Sequence, residues 1–312
     1  MHKRRLGTST LEVSVVGLGA NNFGGRIDFD ASARVVHKAL DLGVNFIDTA
    51  DTYGNRGGSE EALGRILAAK RKDIVLASKF GMEMDDSGKL TGASRRYIMH
   101  AVEASLKRLR TEWIDLYQLH RPDPATPMEE TLRALDDLVR AGKVRFIGCS
   151  NLSPQQVREA QAISRQHGLA AFVSCQDAYS LLVRDIEREL IPATREFGMS
   201  VLPYLPLASG LLTGKYRRGA PLPEGSRLAK SPHHAGEVIN ERNWRIVENL
   251  SVFAAREGHS MLDLAFGWLL RDGVVASVIA GATTPRQVEQ NVAASEWVLS
   301  PQQLVEIDRI TL

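Results

Sequence analysis

Short apolar runs alternate along this chain with longer stretches in which apolar residues recur every three or four positions. The runs read as buried strands, the stretches as amphipathic helices. After a predicted hairpin over residues 4–14, the runs fall at 15–19, 44–48, 74–78, 114–119, 144–148, 171–174, 200–204 and 276–280. Asp30 is the expected cap of a first helix carrying Val35, Val36, Ala39 and Leu40, with Gly43 as its stop. Ser59 is expected to cap a second, with Leu63, Ile66 and Leu67 inside. Ser94 precedes a third, with Ile98, Ala101, Val102, Ser105, Leu106 and Leu109 on one face. A fourth starts at Met128 and stops at Gly142. Ser153, Pro154 and Gln156 supply a cap, a first-turn proline and a capping box for a fifth. Helices follow over 185–197, 241–257 and 260–271, and a last one begins at Thr284-Pro285. Residues 209–240 have no clear period and read as a long loop.

The strands end at Gly19, Asp48, Lys79, His120, Ser150, Gln176, Tyr204 and Gly281. Most intervals suit one βα unit; the last is longer and holds the loop and an extra helix. Eight such units predict an α/β fold, a (β/α)8 TIM barrel, as one domain over residues 1–312. An open doubly wound sheet is the competing architecture, but no G-x-G-x-x-G follows the first strand. In a barrel the chemistry belongs at the C-terminal strand ends.

Composition narrows the function by exclusion. Lysine and arginine number 39 against 37 acidic residues, which advertises neither nucleic acid nor a membrane surface. No apolar run is long enough to span a bilayer, and the basic N-terminus has no apolar segment behind it, so no signal peptide is expected. Cys149 and Cys175 are expected to be buried free thiols, in keeping with a cytoplasmic protein, and no ligand spacing points to a metal. His233-His234 is expected to be exposed, and the four tryptophans to be packing residues.

Asp48, Lys79 and His120 end successive strands, and Tyr53 sits on the loop after Asp48. Alone, each has a bland reading: a turn carboxylate, a surface ion pair, a satisfied core histidine, a packing ring. Together they make a proton-transfer set. A free phenol, with pKa ~10, gives up its proton reluctantly at neutral pH. Lys79 would stabilise the phenolate, Asp48 would hold Lys79, and His120 would orient a carbonyl.

At this point the chain resembles the aldo-keto reductase family. The resemblance rests on GVNFIDTADTYG at 43–54, Ser78-Lys79, residues 116–120, IGCSNL at 147–152, YLPLASGLLTGKY at 204–216 and GATTPRQVEQN at 281–291. It implies a barrel that binds a nicotinamide cofactor and reduces carbonyls through Asp48, Tyr53, Lys79 and His120. It further implies that Ala20 and Asp48 lie at the cofactor and that Ser150, Asn151 and Gln176 hold the nicotinamide carboxamide. Tyr204 would stack on the ring. Leu207, Ser209 and Lys215, with backbone groups around Gly210, would clamp the pyrophosphate, Arg227 would reach the same phosphates or the ribose, and Gly281, Thr283, Gln287, Gln290 and Asn291 would hold the adenosine half.

The chain departs from the family pattern in two places. Many members place Lys-Ser and then Arg at the adenosine phosphate; here Gly281, Ala282 and Gln287 stand there, with Arg286 one step earlier. Some place Trp after the first strand, where this chain has Ala20-Asn21-Asn22-Phe23. NADP(H) is expected over NAD(H), because the start of the last helix suits a phosphate. No long C-terminal loop is expected over the pocket. The leading function is NADPH-dependent reduction of an aldehyde or ketone. The alternatives are a sugar or alcohol dehydrogenase, or a cofactor-binding regulatory module like potassium-channel β subunits. In those subunits the position of His120 is typically filled otherwise.

Overall fold

The computed structural model describes residues 1–230 and 232–312, with side chains for all of these except 232–234. The side chains of His233-His234 therefore lie outside what is described. Strands β1 (Lys3–Arg5) and β2 (Glu12–Ser14) form the N-terminal hairpin. The barrel strands are β3 (Val16–Gly19), β4 (Phe46–Asp48), β5 (Val75–Phe80), β6 (Ile114–Leu119), β7 (Val144–Ser150), β8 (Phe172–Ala178), β9 (Ser200–Tyr204) and β10 (Val278–Gly281). All pair in parallel, in the order β10-β3-β4-β5-β6-β7-β8-β9. A parallel bridge between Val201 and Val275 closes the ring.

Helices α1 (Phe29–Asp41), α2 (Tyr53–Ile66), α3 (Arg95–Leu109), α4 (Met128–Arg140), α5 (Pro154–His167) and α6 (Leu190–Glu196) follow β3 to β8 in turn. Among the described residues, α7 (Pro232–Val238), α8 (Glu241–Arg256) and α9 (Met261–Leu270) separate β9 from β10. Two more, α10 (Pro285–Ala293) and α11 (Pro301–Thr311), close the chain. None of the described helices is long and apolar enough to cross a membrane.

Strand alternation divides the core in two. One cluster fills the space between strands and helices. The other lies inside the barrel, where Phe46, Val75, Leu116, Val173, Leu202 and Ile279 meet Leu6, Leu11 and Val13 of the hairpin segment. The hairpin thus plugs the N-terminal end. Gly7 is required at that contact, since a Cβ there would sit 2.1 Å from the Val173 carbonyl oxygen. With apolar side chains filling the bottom, inward positions nearer the other end are free for polar groups.

Several local expectations are corrected. Asp28, not Asp30, caps α1, accepting from the Ala31 N–H at 2.8 Å. Ser59 caps nothing. It is buried, and its hydroxyl donates to the Ala20 carbonyl and meets the Thr49 hydroxyl, each at 2.8 Å. The helical segment begins earlier, with residues 54–57 in left-handed or otherwise non-helical conformations. The helix expected over 185–197 is a 3-10 turn at Asp185–Glu187 followed by α6. The 209–240 loop contains a 3-10 turn, Ala208–Thr213, and α7. The helix at Pro285 is not the last, because α11 follows with its own Ser300–Gln303 capping box.

Candidate active site

Four strand ends and Tyr53, which begins α2 rather than lying on the loop before it, build the centre of the site. Asp48 ends β4, and its carboxylate is buried. Its Oδ2 accepts from Lys79 Nζ of β5 at 2.5 Å. Its Oδ1 accepts from two amides, Gln118 Nε2 of β6 at 3.0 Å and Gln176 Nε2 of β8 at 2.9 Å. The carboxylate is therefore held from both sides and cannot swing away from Lys79.

Gln118 had no place in the sequence reading. It lies within an apolar strand, but two residues before His120, so the two share a face. That parity was its only signal. Gln176 reaches the same face through an irregularity. Between Ile147 and Cys149 of β7 the partner strand β8 advances from Phe172 to Cys175, one residue more. That extra residue lets Val173 pack in the barrel interior while Gln176, three positions on, meets Asp48.

Lys79 is fully buried and uses all three of its N–H bonds. They go to Asp48 Oδ2, to the Thr49 carbonyl at 2.9 Å and to the Tyr53 hydroxyl at 3.4 Å. Burial opposes its charge, but Asp48 and Tyr53 outweigh burial and hold its pKa above the ordinary value. An ammonium has no lone pair, so Tyr53 must be the acceptor in their contact. Its own O–H is left to donate elsewhere, and Tyr53 lines the cavity.

His120 stands edge-on to Tyr53, ring centroids 5.7 Å apart. Burial, with Lys79 and Arg121 adding positive charge, pushes its pKa down to about 3. The ring is neutral at physiological pH. Its Nδ1 is buried without a partner among the described residues, whereas the ring borders the cavity. With the proton on Nε2, His120 can donate to a carbonyl oxygen there.

A cavity of about 750 Å³ runs from these residues to the start of α10. Its wall includes Ser150, Asn151, Gln176, Tyr204, Leu207, Ser209, Gly210, Lys215 and Arg227, and then Gly281, Thr283, Gln287, Gln290 and Asn291. Ala20 does not line it. Ala20 is buried, and its neighbours Gly19, Asn21 and Asn22 form the wall instead.

Several side chains in this wall already have work. Asn151 donates to the His120 carbonyl and to Ser150 Oγ, and accepts from the Tyr204 hydroxyl. Ser150 thereby keeps its own O–H for a ligand. The Gly210 N–H is taken by the Leu207 carbonyl at 2.8 Å. What Gly210 provides is room, because a Cβ would lie 2.9 Å from Lys215 Nζ. The start of α10 offers fewer free N–H groups than expected. Pro285 has none, Thr284 takes that of Gln287, and Gln287 Oε1 takes that of Thr283. Arg286 is exposed and is not part of the wall.

These donors suit a dinucleotide. The Ser150 hydroxyl, the cations Lys215 and Arg227, and the amides of Gln287, Gln290 and Asn291 all line this one cavity. Among the described residues neither Lys215 nor Arg227 has an ion-pair partner.

A family model described as the aldo/keto reductase family matches residues 15–311. L-glyceraldehyde 3-phosphate reductase of Escherichia coli K12 is 34% identical, covering 99% of this chain and 92% of that protein. A putative voltage-gated potassium channel subunit beta of Schizosaccharomyces pombe is 36% identical, covering 98% and 92%. Probable aldo-keto reductase 1 of Glycine max is also 36% identical, covering 97% and 87%.

Proposed function

The chain belongs to the aldo/keto reductase family, and on that premise we propose that it reduces an aldehyde or ketone to the alcohol with NADPH, Tyr53 supplying the proton. One observation carries the reading: Lys79, spent on Asp48 and Thr49, also donates to Tyr53 at 3.4 Å, beside a neutral His120. When bound, the cofactor supplies the electron pair and hydrogen delivered to the carbonyl carbon. The protein's part concerns the oxygen. His120 donates to it and fixes its direction. Tyr53 gives its proton as negative charge develops there, and Lys79 stabilises the phenolate left behind. Asp48, clamped by Gln118 and Gln176, keeps Lys79 charged and aimed. Solvent then returns the proton to Tyr53. The reverse sequence oxidises an alcohol with the same groups, so direction depends on the supply of substrates.

NADPH is favoured over NADH moderately. Its extra phosphate needs a cation or donors. Gln287 still has its amide N–H groups, and Arg286 lies on the adjacent first turn of α10. The Schizosaccharomyces pombe relative carries the name of a channel subunit, but the full set Asp48, Tyr53, Lys79 and His120 supports turnover. A cytoplasmic setting fits the two unpaired, buried cysteines.

Following NADPH and NADH absorbance with a panel of aldehydes, ketones and alcohols tests the proposal. Oxidation of NADPH by a simple carbonyl such as 4-nitrobenzaldehyde is expected, with slower use of NADH. Absence of turnover in both directions would refute it.

A further inference from the structure

Among the described residues lining the cavity, positive charge outnumbers negative. Four of the described residues that line it are cations: Arg26, Arg121, Lys215 and Arg227. Two of those residues are carboxylates, and both are engaged. Asp48 holds Lys79, and Asp263 completes the capping box of α9 by accepting from the N–H of the cap Ser260. Lys215 and Arg227 answer to the phosphates of a dinucleotide. Arg26 and Arg121 have no such assignment.

Each stands on backbone packed next to a reacting residue, Arg121 directly after His120 and Arg26 on the loop that lies against the Tyr53 segment. Arg121 follows His120, whose N–H is fixed to the Phe80 carbonyl. Its nearest acid in sequence, Asp123, is consumed by the loop. Asp123 accepts from the N–H groups of Ala93 and Ala125 and from the Thr126 hydroxyl. Among the described residues Arg121 has neither an ion pair nor a hydrogen bond. Its charge is nevertheless felt by both His120 and Tyr204.

Arg26 belongs to the loop after β3. That loop lies backbone to backbone on the Tyr53 segment, at glycines on both sides. A Cβ on Gly24 would be 2.4 Å from the Gly58 carbonyl carbon, and one on Gly54 2.4 Å from the Phe23 oxygen. Arg26 gives one N–H to the Gly225 carbonyl at 2.8 Å, and among the described residues its others have no partner. It is close enough to Arg227 for each charge to oppose the other. Asp177, another carboxylate near Tyr204, pairs with neither Arg26 nor Arg121.

We propose that Arg26 and Arg121 form an anion subsite beside Tyr53 and His120, which selects carbonyl substrates bearing a phosphate or carboxylate a few bonds from the carbonyl. The anion would draw the substrate in and fix its far end, while His120 fixes the oxygen. The proposal rests on the reductase reading for its reaction, though not for its binding.

Compare kcat/KM for glyceraldehyde and glyceraldehyde 3-phosphate, with succinic semialdehyde as the carboxylate, in the wild type, Arg26→Ala, Arg121→Ala and Arg121→Lys. A charged aldehyde should be preferred by about tenfold or more, the scale of a charge-assisted contact. Each alanine variant should erase much of that preference, chiefly through KM, and Arg121→Lys should restore part of it. The preferred charged aldehyde identifies the anion as phosphate or carboxylate. Equal use of neutral and charged aldehydes by the wild type, or a preference untouched in both alanine variants, overturns the subsite and leaves the reductase reading standing. Titration with glycerol 3-phosphate separates the remaining case. If no aldehyde is reduced, yet glycerol 3-phosphate binds the wild type and not Arg121→Ala, the reductase reading fails and the subsite holds. Equal binding by both overturns the subsite.

Discussion

Asp51 offers a prediction that can be worked through in numbers. It lies two residues before Tyr53 and is 1% exposed. Its Oδ1 has no partner among the described residues, and its Oδ2 is 3.4 Å from the Tyr97 hydroxyl. The nearby cation, Arg108, is already paired with Glu60 at 2.7 Å. Burial, with the charge of Glu60 adding to it, lifts the Asp51 pKa to about 8, against a smaller opposing effect of Arg108. An unfolded aspartate titrates near ~3.9. Between these values the folded chain holds a proton that the unfolded chain has released, so stability falls as pH rises. The contribution is complete below pH ~4, lost at up to about 1.4 kcal/mol per pH unit, and flat above about pH 8.

Asp51→Asn keeps the size and neutrality of the protonated acid and removes the titration. The stability of this variant relative to wild type should therefore climb by about 3 kcal/mol between pH 5 and pH 7 and level off above pH 8. Urea unfolding of both proteins at each pH unit from 5 to 9 measures the difference. Parallel curves would refute the argument and mean that Asp51 is ionised in the folded protein.

On the proposed mechanism Lys79→Met should lower turnover strongly, by removing the charge that would stabilise a Tyr53 phenolate; steady-state rates at saturating NADPH check this, and retained activity would speak against the role. Gln118→Leu leaves Asp48 one amide donor short and should destabilise the fold by about 1–3 kcal/mol in urea unfolding. With His120 held near pKa 3, the pH profile of kcat/KM should show no histidine limb around pH 6.5. The folded value lies below the unfolded one, so the same residue contributes stability that is full above pH ~6.5 and lost as pH falls toward about 3. Arg286→Ala should reduce the ratio of kcat/KM for NADPH over NADH, and an unchanged ratio would remove Arg286 from cofactor choice.

The barrel was legible because its strands are short apolar runs that end abruptly in polar residues. Asp48, Lys79 and His120 were legible for the same reason. Gln118 was not, because a single polar residue inside an apolar strand signals nothing until the facing carboxylate is known. Nor could the course of β8 be read, since an irregularity with no marker residue decides that Gln176 meets Asp48. Ser59 misled because a serine before a helical run resembles a cap, while the left-handed turns of residues 54–57 had already set the helix start. At α10, Thr284 was readable as a cap, and a cap that takes an N–H leaves less of the terminus for a phosphate. Helix α11 was within reach, because Ser-Pro-Gln-Gln at 300–303 repeats the signal at 153–156.

The most direct test of the account is Tyr53→Phe, which removes one hydroxyl and leaves the ring. Turnover of an aldehyde and quenching of protein fluorescence by NADPH should be measured on the same preparation. Loss of a positioned acid predicts a fall of ~10²–10⁴ in rate with cofactor binding retained. Near-normal turnover with equally retained binding would show that the proton comes from another group and would contradict the assignment of Tyr53.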